Sequence, residues 1–159
     1  MTFFGYGMPF PYAGEIWRDW AQGPPSVTGT WKELPPRAHE SWLHVAQSAW
    51  FRSGRAAKRY GDASSYDIGG AGLVDIAGFY CALGESINGP GGYFGSNLSA
   101  LADCLANSGP HGRQLFRLRW SDFESSRRDL GEDLAEVLAV LDEFGVGIDA
   151  VDSGTSGAG

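Results

Sequence analysis

Residues 93–105 have the sequence YFGSNLSALADCL, and this stretch decides the fold of the chain. Ser96 or Asn97 is a suitable N-cap, because either side-chain oxygen can accept a hydrogen bond from the first turn of a helix. Apolar residues at helical spacing predict a buried stripe made of Leu98, Leu101 and Leu105. The remaining sides of this helix carry Ser99, Ala102, Asp103 and Ala106. We therefore expect a capped helix that presents a carboxylate away from the core.

The segments around this helix alternate between strand and helix patterns. Strands are predicted over residues 66–68, 115–120 and 146–151. Helices are predicted from the N-cap Asp75 to Ile87, briefly around residues 122–127, and over residues 132–144, where the period is clearest. For residues 115–120 a helix is the alternative, since a strand has to direct Arg117 and Arg119 outward. Strands separated by helices need crossover connections, which favours an α/β fold with a small parallel sheet covered by helices.

The stretch over residues 93–105 closely resembles the signature of the barstar family, the intracellular inhibitors of barnase. The order of the surrounding elements also matches: a strand and glycine turn at Ile68-Gly69-Gly70, a helix ending near Ile87, and a strand ending in Trp120. Phe123-Glu124-Ser125-Ser126 and the final amphipathic helix complete the match. The resemblance covers roughly residues 64–152 and says nothing about residues 1–62.

The resemblance implies a three-stranded parallel sheet and a binding face made by the second helix and the loop before it. Carried over residue by residue, it places on that face Tyr93, Asn97, Ser99, Ala102, Asp103 and Glu143. Tyr93 and Asp103 match positions that contact the ribonuclease, and Glu143 matches an acidic contact on the last helix. For Tyr93, packing against the helix is the alternative. A carboxylate on a rigid helix imitates a phosphate and occupies the basic groups that would hold RNA.

Two residues of this face depart from the family pattern. Ser99 stands where the family usually has an acidic residue, and Ala102 stands where barstar has a tryptophan. Losing one carboxylate from a desolvated charge pair costs about 2–5 kcal/mol unless the partner has changed to match. These departures point to a ribonuclease other than barnase, or to an interaction module with a non-nuclease partner.

The charge distribution agrees with a basic partner. The net charge is −7, yet residues 1–62 hold seven Lys/Arg and five Asp/Glu, whereas residues 63–159 hold five Arg and fourteen Asp/Glu. An acidic face repels nucleic-acid phosphates and accelerates encounter with a basic protein. An acidic surface that serves solubility alone is the alternative explanation.

Residues 1–62 form an aromatic-rich extension that holds five of the six Trp. Helices are predicted over residues 15–22 and about 37–60, with a basic end at residues 52–59, where Gly54 weakens the second helix. We expect the extension to pack on the domain of residues 63–152, because its aromatic rings would otherwise leave a large exposed apolar area. Extending the partner interface is an alternative role. Residues 153–159, rich in Gly and Ser, are expected to form a flexible tail.

Several function classes lack their sequence signals. The chain has no GxSxG, HExxH or phosphate-loop motif, so catalysis and a cofactor are not expected. Cys81 and Cys104 lack CxxC spacing, and His39 and His44 are five apart, which argues against a disulfide or a metal site.

No apolar run is long enough for a membrane span, and the first residues do not resemble a secretory signal, which predicts a cytoplasmic protein. The Arg/Lys cluster is better explained by a helix C-terminus than by nucleic-acid binding.

The sequence therefore predicts a cytoplasmic inhibitor of the immunity or antitoxin type. Its partner is expected to be a basic extracellular-type ribonuclease or a toxin nuclease domain, with no direct contact to nucleic acid or membrane. The alternative is a barstar-like protein-interaction module whose partner is not a nuclease.

Overall fold

The computed structural model describes residues 11–61, 63–108 and 115–151, and it consists of six helices around a small sheet. The helices are α1 (Ala13–Trp20), α2 (His39–Arg52), α3 (Ile76–Asn88), α4 (Leu98–Ala106), α5 (Phe123–Leu130) and α6 (Glu132–Glu143). The strands are β1 (Ser65–Gly69), β2 (Phe116–Ser121) and β3 (Val146–Val151). Two 3-10 turns, Thr30–Glu33 and Pro36–Ala38, precede α2.

The three strands form one parallel sheet in the order β1-β2-β3. Trp120 in the central strand is paired with Ile68 of β1 and Ala150 of β3. Helices α3 and α4 connect β1 to β2, and α5 and α6 connect β2 to β3, as parallel pairing requires. The predicted α/β fold with a three-stranded parallel sheet is confirmed.

One face of the sheet is buried and the other is partly open to solvent. In β2 the buried side chains are Phe116, Leu118 and Trp120. The alternate positions are occupied by Arg117 and Arg119, whose charges are paired across the sheet. The Nε atom of Arg117 lies 2.7 Å from Oδ2 of Asp149, and Arg119 lies 3.6 Å from Asp67. The strand predicted over residues 115–120 is thus confirmed as β2, with both arginines outward, and the helix alternative is wrong.

The turn before α4 depends on a glycine. Gly95 has φ +103°, and a Cβ atom added there would lie 2.9 Å from the Cα of Leu101. A larger residue would therefore be strained in its backbone and would press on α4. Asn97 then caps the helix, since its side-chain oxygen accepts a hydrogen bond of 2.8 Å from the amide of Ala100.

The first segment, residues 11–61, packs into the same core as the domain that follows it. Trp31, Trp42 and Trp50 are each 4% exposed or less, and α2 lies against α3. The buried carboxylate of Glu85 in α3 accepts hydrogen bonds from the amide of Gly29 at 2.7 Å and the indole of Trp31 at 3.2 Å. Its other oxygen accepts from the amide of Gly91 at 2.9 Å, so one side chain ties the segment to the loop before α4.

The second helix of the first segment is shorter than predicted. It ends at Arg52, and Gly54 adopts φ +86°, so the prediction of a helix over about residues 37–60 was too long. The positive charges that follow lie over aromatic rings: Arg52 over Trp17, Arg55 over Trp50, Lys58 over Tyr60 and Arg59 over Phe116. Three of these four basic side chains therefore lie beyond the end of α2, and all four make cation–π contacts.

Within the described residues, no helix is long and apolar enough to cross a bilayer. The flexible tail predicted at residues 153–159 lies outside the described residues.

Candidate partner-binding face on helix α4

Helix α4 is anchored on one side and open on the other. Leu101, Cys104 and Leu105 are each 0% exposed, which fixes the helix against the core and against α6. Ser99 and Asp103 are exposed and Ala102 is half-buried, as the spacing predicted. We call the exposed Asn97, Ser99 and Asp103, together with the half-buried Ala102, the α4 face.

Asp103 is the charged residue of the α4 face. Its carboxylate makes no hydrogen bond or ion pair with any other described residue. Its charge is nevertheless felt nearby, because it contributes to raising the pKa of the Cys104 thiol to about 12, after the larger effect of burial. An exposed carboxylate without an internal partner, on a helix held rigid from below, is available to a basic group of another molecule.

Asn97 and Ser99 lie at the beginning of α4. Asn97 is exposed, and its side-chain oxygen is used in the cap, so this residue has a structural role whether or not it contacts a partner. Ser99 presents a short hydroxyl one turn before Asp103. The N-terminal part of the α4 face therefore carries hydrogen-bonding groups and no charged side chain.

Tyr93 is placed differently from the α4 face, because the first segment covers it. Its side chain is 2% exposed, and the ring of Phe51 packs edge-on against it at a centroid distance of 5.5 Å. Burial raises the pKa of the Tyr93 hydroxyl, a side-chain hydrogen bond with Ser96 opposes this shift, and the charges of Cys104 and Asp103 add to it. Tyr93 thus packs beneath Phe51, and a direct contact with a partner requires Phe51 to move or to share that contact.

Glu143 is the last residue of α6 and is exposed. The helix packs on α4, but the buried residues that face the core are Leu134, Val137 and Leu141. No hydrogen bond or ion pair joins the Glu143 side chain to the α4 face among the described residues. Asn97, Ser99 and Asp103 are thus exposed and Ala102 is half-buried along α4, whereas Tyr93 lies beneath its neighbour and Glu143 lies on a separate helix.

Residues 53–60 border the C-terminal end of α4. The Asn107 side chain donates to the carbonyl of Ala57 at 3.2 Å, and the amide of Arg59 donates to the Ser108 hydroxyl at 3.0 Å. The backbone of this segment therefore lies beside the C-terminal end of α4, whereas the charged groups of Arg55, Lys58 and Arg59 lie over aromatic rings.

The described residues hold little that could act in covalent or metal chemistry. Cys81 and Cys104 are buried free thiols, and burial raises the pKa of both, which keeps them protonated and unreactive. Within residues 11–61, 63–108 and 115–151, no group of three or more His, Cys, Asp or Glu side chains is arranged to hold a metal ion. What the arrangement offers is a rigid surface with an unpaired carboxylate.

Sequence reasoning missed two residues that shape this surface. Phe51 covers Tyr93, and Glu85 joins the first segment to the loop before α4. Both act through contacts between residues more than forty positions apart or across a tight loop, and periodicity within one helix does not reveal such contacts. The signal that was present is the apolar character of Phe51 at an exposed helix end.

The fold and the α4 face define a small α/β protein that presents an acidic helix surface to solvent. The chain belongs to the barstar family: the family model described as Barstar (barnase inhibitor) matches residues 64–152. No curated protein matches the chain. Membership confirms the resemblance found in the sequence, and it indicates an inhibitor-like role with a ribonuclease as the kind of partner.

Proposed function

We propose that this protein inhibits a basic ribonuclease by placing the α4 face over its active site. The observation that carries the proposal is the exposed Asp103 carboxylate, which has no internal partner among the described residues and stands on a helix anchored by three buried side chains. A ribonuclease active site is built to hold phosphate, so it offers the cationic groups that such a carboxylate needs.

The other features of α4 hold the helix in place and carry no charge. The Asn97 cap and the buried Leu101, Cys104 and Leu105 keep α4 in place before binding, so little ordering is needed when the partner arrives. The acidic balance of residues 63–159 attracts a basic partner over a distance. Binding without catalysis is the role that these features support.

The partner and the place of action follow from this role. We propose an extracellular-type ribonuclease or a toxin nuclease domain made by the same cell, and an immunity or antitoxin role in the cytoplasm before export. Tyr93, Asn97, Ser99, Ala102 and Glu143 are proposed as further contacts, with Tyr93 acting through or beside Phe51. No cofactor or metal is part of the proposal.

The test is inhibition of RNA cleavage by a panel of basic ribonucleases that begins with barnase. Asp103→Ala should raise the inhibition constant at least about tenfold, because it removes a charge that is desolvated in the complex. Asp19→Ala, which removes an exposed carboxylate from α1, is the matched control and should change little. Unchanged cleavage across the panel at micromolar inhibitor would argue strongly against the proposal.

A second function is favoured by the covering of Tyr93. Together with Ser99 and Ala102, a Tyr93 that is 2% exposed makes the surface less like that of a barnase inhibitor. The alternative is an interaction module for a protein that is not a nuclease. Affinity capture from the native extract with wild type and Asp103→Ala separates the two: a stable non-nuclease partner that both variants retain favours the module.

A further inference from the structure

A cleft of about 510 Å³ opens between the first segment and the family-matched domain. One wall is the beginning of α2 and the 3-10 turn before it, and the other is the N-terminal end of α3. Ser96 and Asn97 close the cleft on the side of α4. Because Asn97 is also part of the α4 face, the cleft continues that surface onto the first segment.

Two carboxylates line this cleft. Glu40 and Asp75 come from its two opposite walls. Tyr80 lines it as well, and burial raises the pKa of its hydroxyl, with smaller contributions from the charges of Asp133 and Glu136. A ligand in the cleft therefore meets two carboxylates and one phenol.

Two residues that line the cleft can carry a positive charge. Arg37 lines it, but its Nε atom donates to the Tyr12 hydroxyl at 2.7 Å and its guanidinium lies 5.8 Å from the centre of the Tyr12 ring. His44 is the other lining residue that can carry a positive charge.

The cleft also has unused hydrogen-bonding capacity. Glu40 is exposed and makes no hydrogen bond or ion pair with another described residue. Tyr80 is 3% exposed, lines the cleft, and its hydroxyl has no hydrogen-bond partner among residues 11–61, 63–108 and 115–151. Asp75 is held in place, because one of its oxygens accepts from the amide of Gly78 at 2.7 Å and lies 3.1 Å from Nδ1 of His39.

We propose that this cleft receives an arginine side chain of the ribonuclease that the α4 face binds; the identity of the partner rests on the proposed function. A guanidinium carries several N–H donors in a flat fork, and the cleft lining offers it the Glu40 and Asp75 carboxylates and the Tyr80 hydroxyl as acceptors. Its weaker hydration than that of an ammonium suits a partly buried site. The first segment, which the family match does not include, thereby supplies half of a second contact site.

The cleft can be tested without the ribonuclease. The full chain, labelled with ¹⁵N, is titrated with N-acetyl-arginine amide and separately with N-acetyl-citrulline amide, which has the same shape and no charge. We expect arginine-specific shifts of the backbone amides of Ile76, Ala77, Ser96 and Asn97 that saturate in the millimolar range. Glu40→Gln should weaken this binding about threefold, as expected for a partly exposed charge pair.

One control variant and one further test variant complete the titration. Glu15→Gln changes the same charge on α1, away from the cleft lining, and should leave the titration unchanged. Tyr80→Phe keeps the ring and removes the hydroxyl, and it should weaken arginine binding about twofold or more through one lost hydrogen bond. Equal shifts with arginine and citrulline, or identical titrations for Glu40→Gln and Glu15→Gln, would overturn the proposal.

The outcome is separable from that of the proposed function. If no ribonuclease is inhibited, the function fails and the assignment of the arginine to a ribonuclease fails with it, while the arginine-specific shifts still report a cleft that binds guanidinium. If inhibition depends on Asp103 and the cleft gives no arginine-specific shift, the cleft proposal alone is rejected.

Discussion

The two parts of this molecule, residues 11–61 and residues 63–151, are stabilised by different kinds of contact. The later part is built on a regular parallel sheet whose buried strand residues alternate with ion-paired arginines. The first part has two α-helices and no strand within its described residues, and it is held by tryptophan rings and by the Glu85 carboxylate. A segment outside the family match is therefore part of the same core, and it shapes the surface beside the proposed binding face.

The largest expected effect comes from removing a buried tryptophan in each part. Trp31→Ala and Trp120→Ala each delete a ring that is 1% exposed or less, and each should lower the free energy of unfolding by about 3–5 kcal/mol. If both parts share one core, urea unfolding followed by circular dichroism and by fluorescence gives one coincident transition for each variant. Two separate transitions for Trp31→Ala, with the second unchanged from wild type, would show that the parts unfold independently.

Substitution of Glu85 removes one specific link between the two parts. Glu85→Leu leaves the amides of Gly29 and Gly91 and the indole of Trp31 without their acceptor, and each donor that stays buried costs about 1–3 kcal/mol. Glu85→Gln keeps one carbonyl oxygen and should cost less. Thermal unfolding measures the difference, and equal melting temperatures for the two variants would contradict the role given to the carboxylate.

Asn97 separates a structural role from a binding role on the α4 face. Asn97→Ala removes the cap of α4 and should cost about 1 kcal/mol, whereas Asn97→Ser keeps a capping oxygen and should recover most of it. Stability is read from urea unfolding and binding from the inhibition constant. If Asn97→Ser restores stability but not inhibition, the side chain contacts the partner; if it restores both, Asn97 is a cap alone.

The smallest effect is expected on the open face of the sheet. The hydrogen bond from Arg117 lowers the pKa of Asp149, so the stabilisation from this pair is present above the ordinary Asp pKa of about 3.9 and is lost as the pH falls through the lowered value. Asp149→Asn should therefore lower the melting temperature slightly at neutral pH, with the difference vanishing in acid. Asp67→Asn, which breaks the longer pair of 3.6 Å, is the control and should change the melting temperature at neutral pH less than Asp149→Asn does.

The regular elements of the later part were predictable because their patterns are local. The leucine spacing of α4, the clear period of α6 and the strand pattern of β2 each depend on neighbours within one element, and the structure has all three. The exposure of Asp103 followed from the same spacing. The end of α2 was predicted too late, because the basic residues after Gly54 were included in the helix although Gly54, with φ +86°, lies just beyond its end.

The features of the site that the sequence did not predict depend on contacts between residues that are distant in sequence. Phe51 contacts Tyr93 because the fold packs α2 on α3. Glu40 and Asp75 are 35 positions apart in the sequence, and they line the same cleft only in the folded chain. A family pattern gives the position of Tyr93 but not the ring that covers it. The first segment had no pattern to compare with, so its effect on the surface could be seen only in three dimensions.

The most direct test of the central claim is amide hydrogen exchange of the chain alone and in complex with a ribonuclease that it inhibits. Added protection is expected over α4 and residues 96–97, with protection at residues 76–77 if the cleft takes part. Protection confined to the open face of the sheet around Arg117 and Arg119, with α4 exchanging as in the free protein, would contradict it.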